Sequence, residues 1–169
     1  MFTREVFILS LILLISGNSY ADEIRGKVSS VDAAKKTIII SGVSVLADDA
    51  WIEDERDYPL GLEGLKNMGK DAYIEVSGKF TGPSEMKAKK IDQRVPECAV
   101  IEGKIASIDA AKREIVISGI TVKLKKDAWL EGPGRVKIPL ELFTPGYPVE
   151  CRGEWTGNSE FTAFKVEVD

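Results

Sequence analysis

Residues 24–42 read IRGKVSSVDAAKKTIIISG, and residues 101–119 read IEGKIASIDAAKREIVISG. Laid over each other at an offset of 77, the two stretches are identical at 12 of 19 positions, and most of the remaining pairs exchange like for like, such as Val28 for Ile105. A match this dense between distant parts of one chain marks an internal duplication, and the fold reading follows from it. Within each copy, apolar and polar residues alternate (Ile24, Gly26 and Val28 against Arg25, Lys27 and Ser29), which is the period of a half-buried strand. Asp32 and Asp109 open the turns that follow, where a carboxylate can accept from backbone N–H groups two residues on. The β-branched runs after each turn are second strands, and Gly42 and Gly119 end them.

Working outward, each copy continues in the same order. Val43 and Val45 begin a third strand that runs towards Trp51, and its counterpart Ile120, Val122 and Leu124 shows the alternation more clearly. Asp49-Ala50-Trp51 recurs as Asp127-Ala128-Trp129 at an offset of 78, so one residue has been inserted in the second copy. Leu62, Leu65 and Met68 recur at helical spacing before Gly69, and residues 139–143 fill the same slot in the second copy. Residues 73–81 alternate again, with Ile74, Val76, Gly78 and Phe80 directed inward and Tyr73, Glu75, Ser77 and Lys79 outward; Val149, Cys151, Gly153 and Trp155 are their inward equivalents. A Gly-containing turn and a closing strand complete each unit. The expectation is an all-β protein of two tandem five-stranded OB-like barrels, residues 22–92 and 98–169, joined by a linker over 93–97, each with a short helix between its third and fourth strands. Closure removes exposed sheet edges, and the strand glycines Gly26, Gly78, Gly103 and Gly153 suit the sharp bends of a small barrel. A small open meander with a helix laid across it is the alternative.

Residues 1–21 read as a secretory leader. Arg4 supplies positive charge, residues 6–16 form an apolar run too short to span a bilayer, and Ser19-Tyr20-Ala21 places small residues at a cleavage site. Export to the periplasm or beyond is expected, with no membrane insertion after cleavage. The formal net charge of −4 argues against a nucleic-acid partner.

The chain contains no histidine, which removes the usual neutral-pH general base and the commonest metal ligand. Nucleophile-elbow, Walker and dinucleotide-binding glycine patterns are absent from the sequence. No catalytic residue, metal or cofactor is therefore assigned. The acidic run Asp48, Asp49, Glu53, Asp54, Glu55 and Asp57 has the oxygen chemistry that calcium prefers but lacks its loop spacing, and reads as a solvated loop. Trp51 and Trp129 occupy equivalent positions and either cap their barrels by burial or form a binding platform; capping is expected, because aromatics contribute heavily to small cores. Trp155 faces inward. Cys98 and Cys151 are the only cysteines, and an exported address permits a disulfide between them; alternatively Cys151 is simply the buried counterpart of Val76.

Each copy has the form Gly-x-Val/Ile-x-x-Val/Ile-Asp, a strand ending in Gly, Asp-Ala-Trp, a leucine-bearing helical slot, Glu-x-x-Gly, and a closing Ala-x-x-Ile/Val. This resembles a widespread family of exported bacterial domains of unknown function, small OB-like barrels often found in tandem. In the first copy Gly26, Val28, Val31, Asp32, Gly42, Glu75, Gly78, Ala88 and Ile91 carry the resemblance, and in the second Gly103, Ile105, Ile108, Asp109, Gly119, Glu150, Gly153, Ala163 and Val166 do. It implies the fold and an envelope address, and supplies no catalytic residue. A fainter likeness to exported bacterial OB-fold stress proteins suggests binding of a ligand or partner. The expected function is a non-catalytic binding or scaffolding module that engages an envelope protein, with small-ligand or oligosaccharide binding as the alternative and an enzyme third.

Overall fold

The computed structural model describes residues 21–168, so the leader reading lies outside the described residues except at Ala21. Strands β1 (Asp22–Asp32), β2 (Thr37–Ile40), β3 (Val43–Leu46) and β4 (Trp51–Glu53) are followed by helix α1 (Gly61–Met68), a 3-10 turn (Gly69–Asp71), β5 (Tyr73–Gly82) and β6 (Glu85–Arg94). The second copy runs β7 (Ala99–Asp109), β8 (Glu114–Ile117), β9 (Ile120–Gly132), β10 (Val136–Lys137), a 3-10 turn (Leu140–Leu142), β11 (Pro148–Gly157) and β12 (Glu160–Val168). The described residues form an all-β protein, and their 12 strands belong to one hydrogen-bonded sheet. Among the described residues no helix is long and apolar enough to cross a membrane.

The pairings run in two rings. In the first copy β1 pairs β2, β2 pairs β3, β3 pairs β6 in parallel, β6 pairs β5, and β5 returns to β1. The second copy repeats this as β7, β8, β9, β12 and β11, with β9 and β12 the parallel pair. Each first strand changes partner midway, at register shifts between Val28 and Ser30 in β1 and between Ile105 and Ser107 in β7. Such bulges add local twist and let one strand serve two neighbours. Gly78 and Gly153 sit at further bulges, where a Cβ would lie only 2.1 and 2.0 Å from the carbonyl oxygens of Lys87 and Thr162. Only glycine fits so close an approach of two backbones.

The strand count exceeds the expected ten for two local reasons. The third strand of the first copy breaks at residues 47–50 into β3 and β4, whereas the second copy, with Lys125 and Lys126 in place of a turn, continues as one 13-residue β9. The added β10 folds back on β9 through residues 133–135. In the helical slot, α1 buries Leu65 while Leu62 is half-buried and Met68 is exposed, and the second copy has only the 3-10 turn, anchored by Leu140 and Phe143.

The core holds Ile24, Ile38, Ile40, Val43, Val45, Ile74, Val76 and Ile91, with Ile101, Ile115, Ile117, Ile120, Val122, Val149, Cys151 and Phe161, all fully buried. Of the positions read as inward, Ile74, Val76, Ile120, Val122, Val149 and Cys151 are among them, whereas Phe80 and Trp155 are half-buried. Each such side chain stabilises the fold by roughly 1.5–3 kcal/mol relative to exposure, before chain entropy is counted. These residues form one connected cluster across both copies.

That continuity comes from contacts the copies exchange. β1 and β7 pair antiparallel, Ile24 opposite Ile101, so that both rings join in one ladder. The hairpin tip between β5 and β6 crosses to the second copy, where the Ser84 N–H donates to the Ser118 carbonyl at 2.6 Å; the tip between β11 and β12 returns the contact, with the Ser159 N–H on the Ser41 carbonyl at 2.7 Å. Trp155 lies over Gly26 and donates its indole N–H to the Arg25 carbonyl at 3.0 Å, while Phe80, its repeat equivalent, lies near Gly103. A Cβ at Gly26 would meet the Trp155 ring at 2.6 Å.

One expectation for β5 fails. Glu75, read as outward, is buried, as is Tyr73. The β1–β7 junction covers this face, and Glu75 is held there by Arg25 and by Arg94 at 3.0 Å.

Candidate functional site: two tryptophan platforms

Trp51, Ile52 and Glu53 on β4 lie beside Lys90, Ile91 and Asp92 on β6 in parallel register. Strand alternation sends Ile52 and Ile91 into the core, which places Trp51, Glu53, Lys90 and Asp92 together on the outer face. The Trp51 indole N–H donates to Glu53 at 2.5 Å, and the Lys90 ammonium sits 2.8 Å from Glu53 and 2.7 Å from Asp92.

The second copy builds the same group. Trp129, Leu130 and Glu131 on β9 pair with Lys165, Val166 and Glu167 on β12, and Leu130 and Val166 are the buried members. The Trp129 indole N–H donates to Glu131 at 2.8 Å, and Lys165 bridges Glu131, at 3.7 Å, and Glu167. Here an additional cation, Lys137, stands 4.9 Å from the centre of the Trp129 ring, within the range of a cation–π contact.

Both indoles are open to solvent, Trp51 at 54% and Trp129 at 46% of full exposure. The expectation that they are buried caps is therefore overturned: the alternation of β4 and β9 gives the inward place to Ile52 and Leu130. The platform alternative requires exposed rings, and both rings are exposed. Each ring is held in orientation by its carboxylate, and each carboxylate is held by a lysine. Hydrogen bonds from Lys90 and then Trp51 hold the Glu53 carboxyl below its ordinary range, while Asp92 and Glu53 push Lys90 upward. Lys165 does the same for Glu167. Groups held so firmly charged at neutral pH are poor proton-transfer agents and good fixed partners.

The carboxylates of Glu53, Asp57 and Asp92 converge with oxygens within 4.8 Å of one another. The Lys90 ammonium, bonded to Glu53 and Asp92, already stands where a metal cation would bind. Elsewhere in the acidic run, Asp48 pairs with Lys36 at 3.2 Å, and Asp54 accepts from the backbone N–H groups of Arg56 and Tyr58 at 2.9 Å. These acids shape and cap a loop.

Cys98 and Cys151 are not bonded to each other; Cys98 is exposed and Cys151 buried. The register explains this, since Gly153 pairs with Ala99, which puts Cys98 three positions along the ladder from Cys151, about 10 Å away and with its side chain on the other face. Cys151 occupies the core slot of Val76.

Lys90, Asp92, Glu131, Lys165 and Glu167 were not singled out from the sequence, and Glu53 was read only as part of the acidic run. Their signal is present as Trp-Ile-Glu and Lys-Ile-Asp in one copy and Trp-Leu-Glu and Lys-Val-Glu in the other, at the offsets of the repeat. No protein-family model matches the chain, and no curated protein matches it.

Proposed function

We propose that this is an exported, non-catalytic binding module of the bacterial envelope, made of two tandem five-stranded OB-like barrels, whose paired tryptophan platforms engage a protein partner. The two pairing rings, each closed through a parallel pair between third and last strands, support the barrel reading. The likeness to exported bacterial domains and the leader pattern support the address.

The observation that carries the binding reading is the duplicated group of an exposed indole pinned by a carboxylate. Exposed, oriented tryptophans contribute little to a folded core, yet tryptophan is the side chain most enriched at binding hot spots. Pinning the ring before contact lowers the ordering cost of association. Two such sites on one chain permit bivalent contact.

Capture from a periplasmic extract tests the reading, comparing wild-type protein with the Trp51→Ala/Trp129→Ala variant. A partner retained by the wild type and lost by the equally stable variant is the expected result; equal capture by both would refute the platform. The oligosaccharide alternative has its own support, because an indole face beside carboxylates also suits sugar stacking and hydroxyl recognition. Binding on a glycan array that depends on the same tryptophans would favour it.

A further inference from the structure

In the first copy, Lys36 ends the turn after β1 and pairs with Asp48 at 3.2 Å. The equivalent residues in the second copy are Arg113 and Lys126, so the acid of that pair has been replaced by a second cation. Arg113 and Lys126 line one cleft of about 440 Å³, and Lys137, the residue over the Trp129 ring, lines it as well. Neither Arg113 nor Lys126 has a carboxylate partner among the described residues. The Arg113 guanidinium is held by its Nη2 donating to the Lys125 carbonyl at 2.9 Å, while its Nε–H is buried without a hydrogen-bond partner. Like charges that line one cleft are an unfavourable arrangement, which an incoming anion relieves.

The rest of the lining narrows the ligand class. Leu130, Ile138 and Leu140 supply an apolar wall, and the volume is that of a small-molecule site. Asp127 and Glu141 also line the cleft, leaving the three cations in excess. The first copy cannot offer the same site, because its Lys36–Asp48 pair is internally neutralised.

We propose that the second copy carries a binding site for a small organic anion, a carboxylate or phosphate with an apolar body, whose charge is taken by Arg113, Lys126 and Lys137. Because Lys137 leans on Trp129, the indole N–H of Trp129 is a built-in reporter, with Trp51 as the internal control.

Titrating isotope-labelled protein at low ionic strength with hexanoate, hexyl phosphate, hexylamine and hexanol, followed by nuclear magnetic resonance, tests the site. Either anion should produce saturable shifts at the Trp129 indole and at the backbone amides of residues 110–113 and 137–141, and none at the Trp51 indole. The amine and the alcohol should produce none. Lys126→Asp restores the pairing of the first copy, so this variant should melt no lower than wild type and should bind the anions roughly tenfold more weakly or worse, as loss of a charge-assisted contact implies. Absence of a saturable shift with both anions, an equal response to hexylamine or hexanol, or undiminished binding to folded Lys126→Asp would each overturn the proposal.

Discussion

Trp51 on β4 and Trp155 on β11 show how one residue type does opposite work on two strands. Trp51 is more than half exposed, whereas Trp155 reaches across to the other copy, donates to Arg25 and meets Phe161 edge-on at 5.3 Å. Trp51→Ala and Trp129→Ala should each change stability by less than about 1 kcal/mol, as exposed substitutions do. Trp155→Ala should cost about 3–5 kcal/mol, the usual result of removing a packed aromatic. Thermal melts of the single variants check both, and acrylamide should quench Trp51 and Trp129 well ahead of Trp155. The cysteines divide in the same way. Burial raises the Cys151 thiol far above its ordinary value, which withholds the reactive thiolate. A thiol reagent should titrate one group, Cys98, in native protein and a second only after unfolding. Cys151→Val should cost less than about 1.5 kcal/mol, being close in volume. Cys151→Ser should cost about 1–3 kcal/mol, because it buries a hydroxyl among aliphatic neighbours.

Along β5, Glu75 supplies a pH-dependent link. Burial pushes its carboxyl up, but the hydrogen bond from Arg94 and the charges of Arg25 and Arg94 outweigh burial and hold it below its ordinary range. A carboxyl depressed in the folded state adds stability above its unfolded value, and that stability is lost as pH falls through the folded one. Glu75→Gln should therefore destabilise the protein at neutral pH by about 1–3 kcal/mol, and the gap from wild type should close under acid, measured by urea unfolding across the carboxylate range. Glu23, raised by burial and then by Glu75, works in the opposite sense: its contribution is present at low pH and fades as pH rises through the folded value. The sequence made the strands of this region legible, because repeat and alternation are local signals, and Ile74 and Val76 are buried as read. It did not disclose that the outer side of β5 is covered, since Ile24 opposite Ile101 is a pairing between remote segments that no single strand pattern encodes. The platforms were half legible. The equivalence of Trp51 and Trp129 was plain, but which face they took depended on the parity that seats Ile52 and Leu130 inward.

Across the molecule, the shared ladder, the crossed hairpin tips and the continuous core should make the two copies unfold as one cooperative unit, giving coincident melts by fluorescence and far-ultraviolet circular dichroism. Gly42 is a local test of that coupling. Its φ of +86° disfavours any side chain, and a Cβ there would lie 2.9 Å from Asn158 of the other copy. Gly42→Ala should lower stability by about 1–3 kcal/mol and should loosen both copies together, read as faster amide exchange in β8 as well as in β2. The contacts between the copies are mutual in a particular way: Ser84 binds Ser118 as Ser159 binds Ser41, and Phe80 approaches Gly103 as Trp155 approaches Gly26. Contacts of i with j returned by j with i are the mark of a two-fold, self-complementary interface. The chain thus has the build of a homodimer whose subunits have been joined end to end. Joining them makes the association intramolecular, so the melting temperature should not depend on protein concentration as that of a separate dimer would. It also frees the partners from identity. Two copies of one gene product must change together, whereas here position 48 holds an acid while its counterpart is Lys126, so a charge pattern that strict symmetry forbids is present on one side alone.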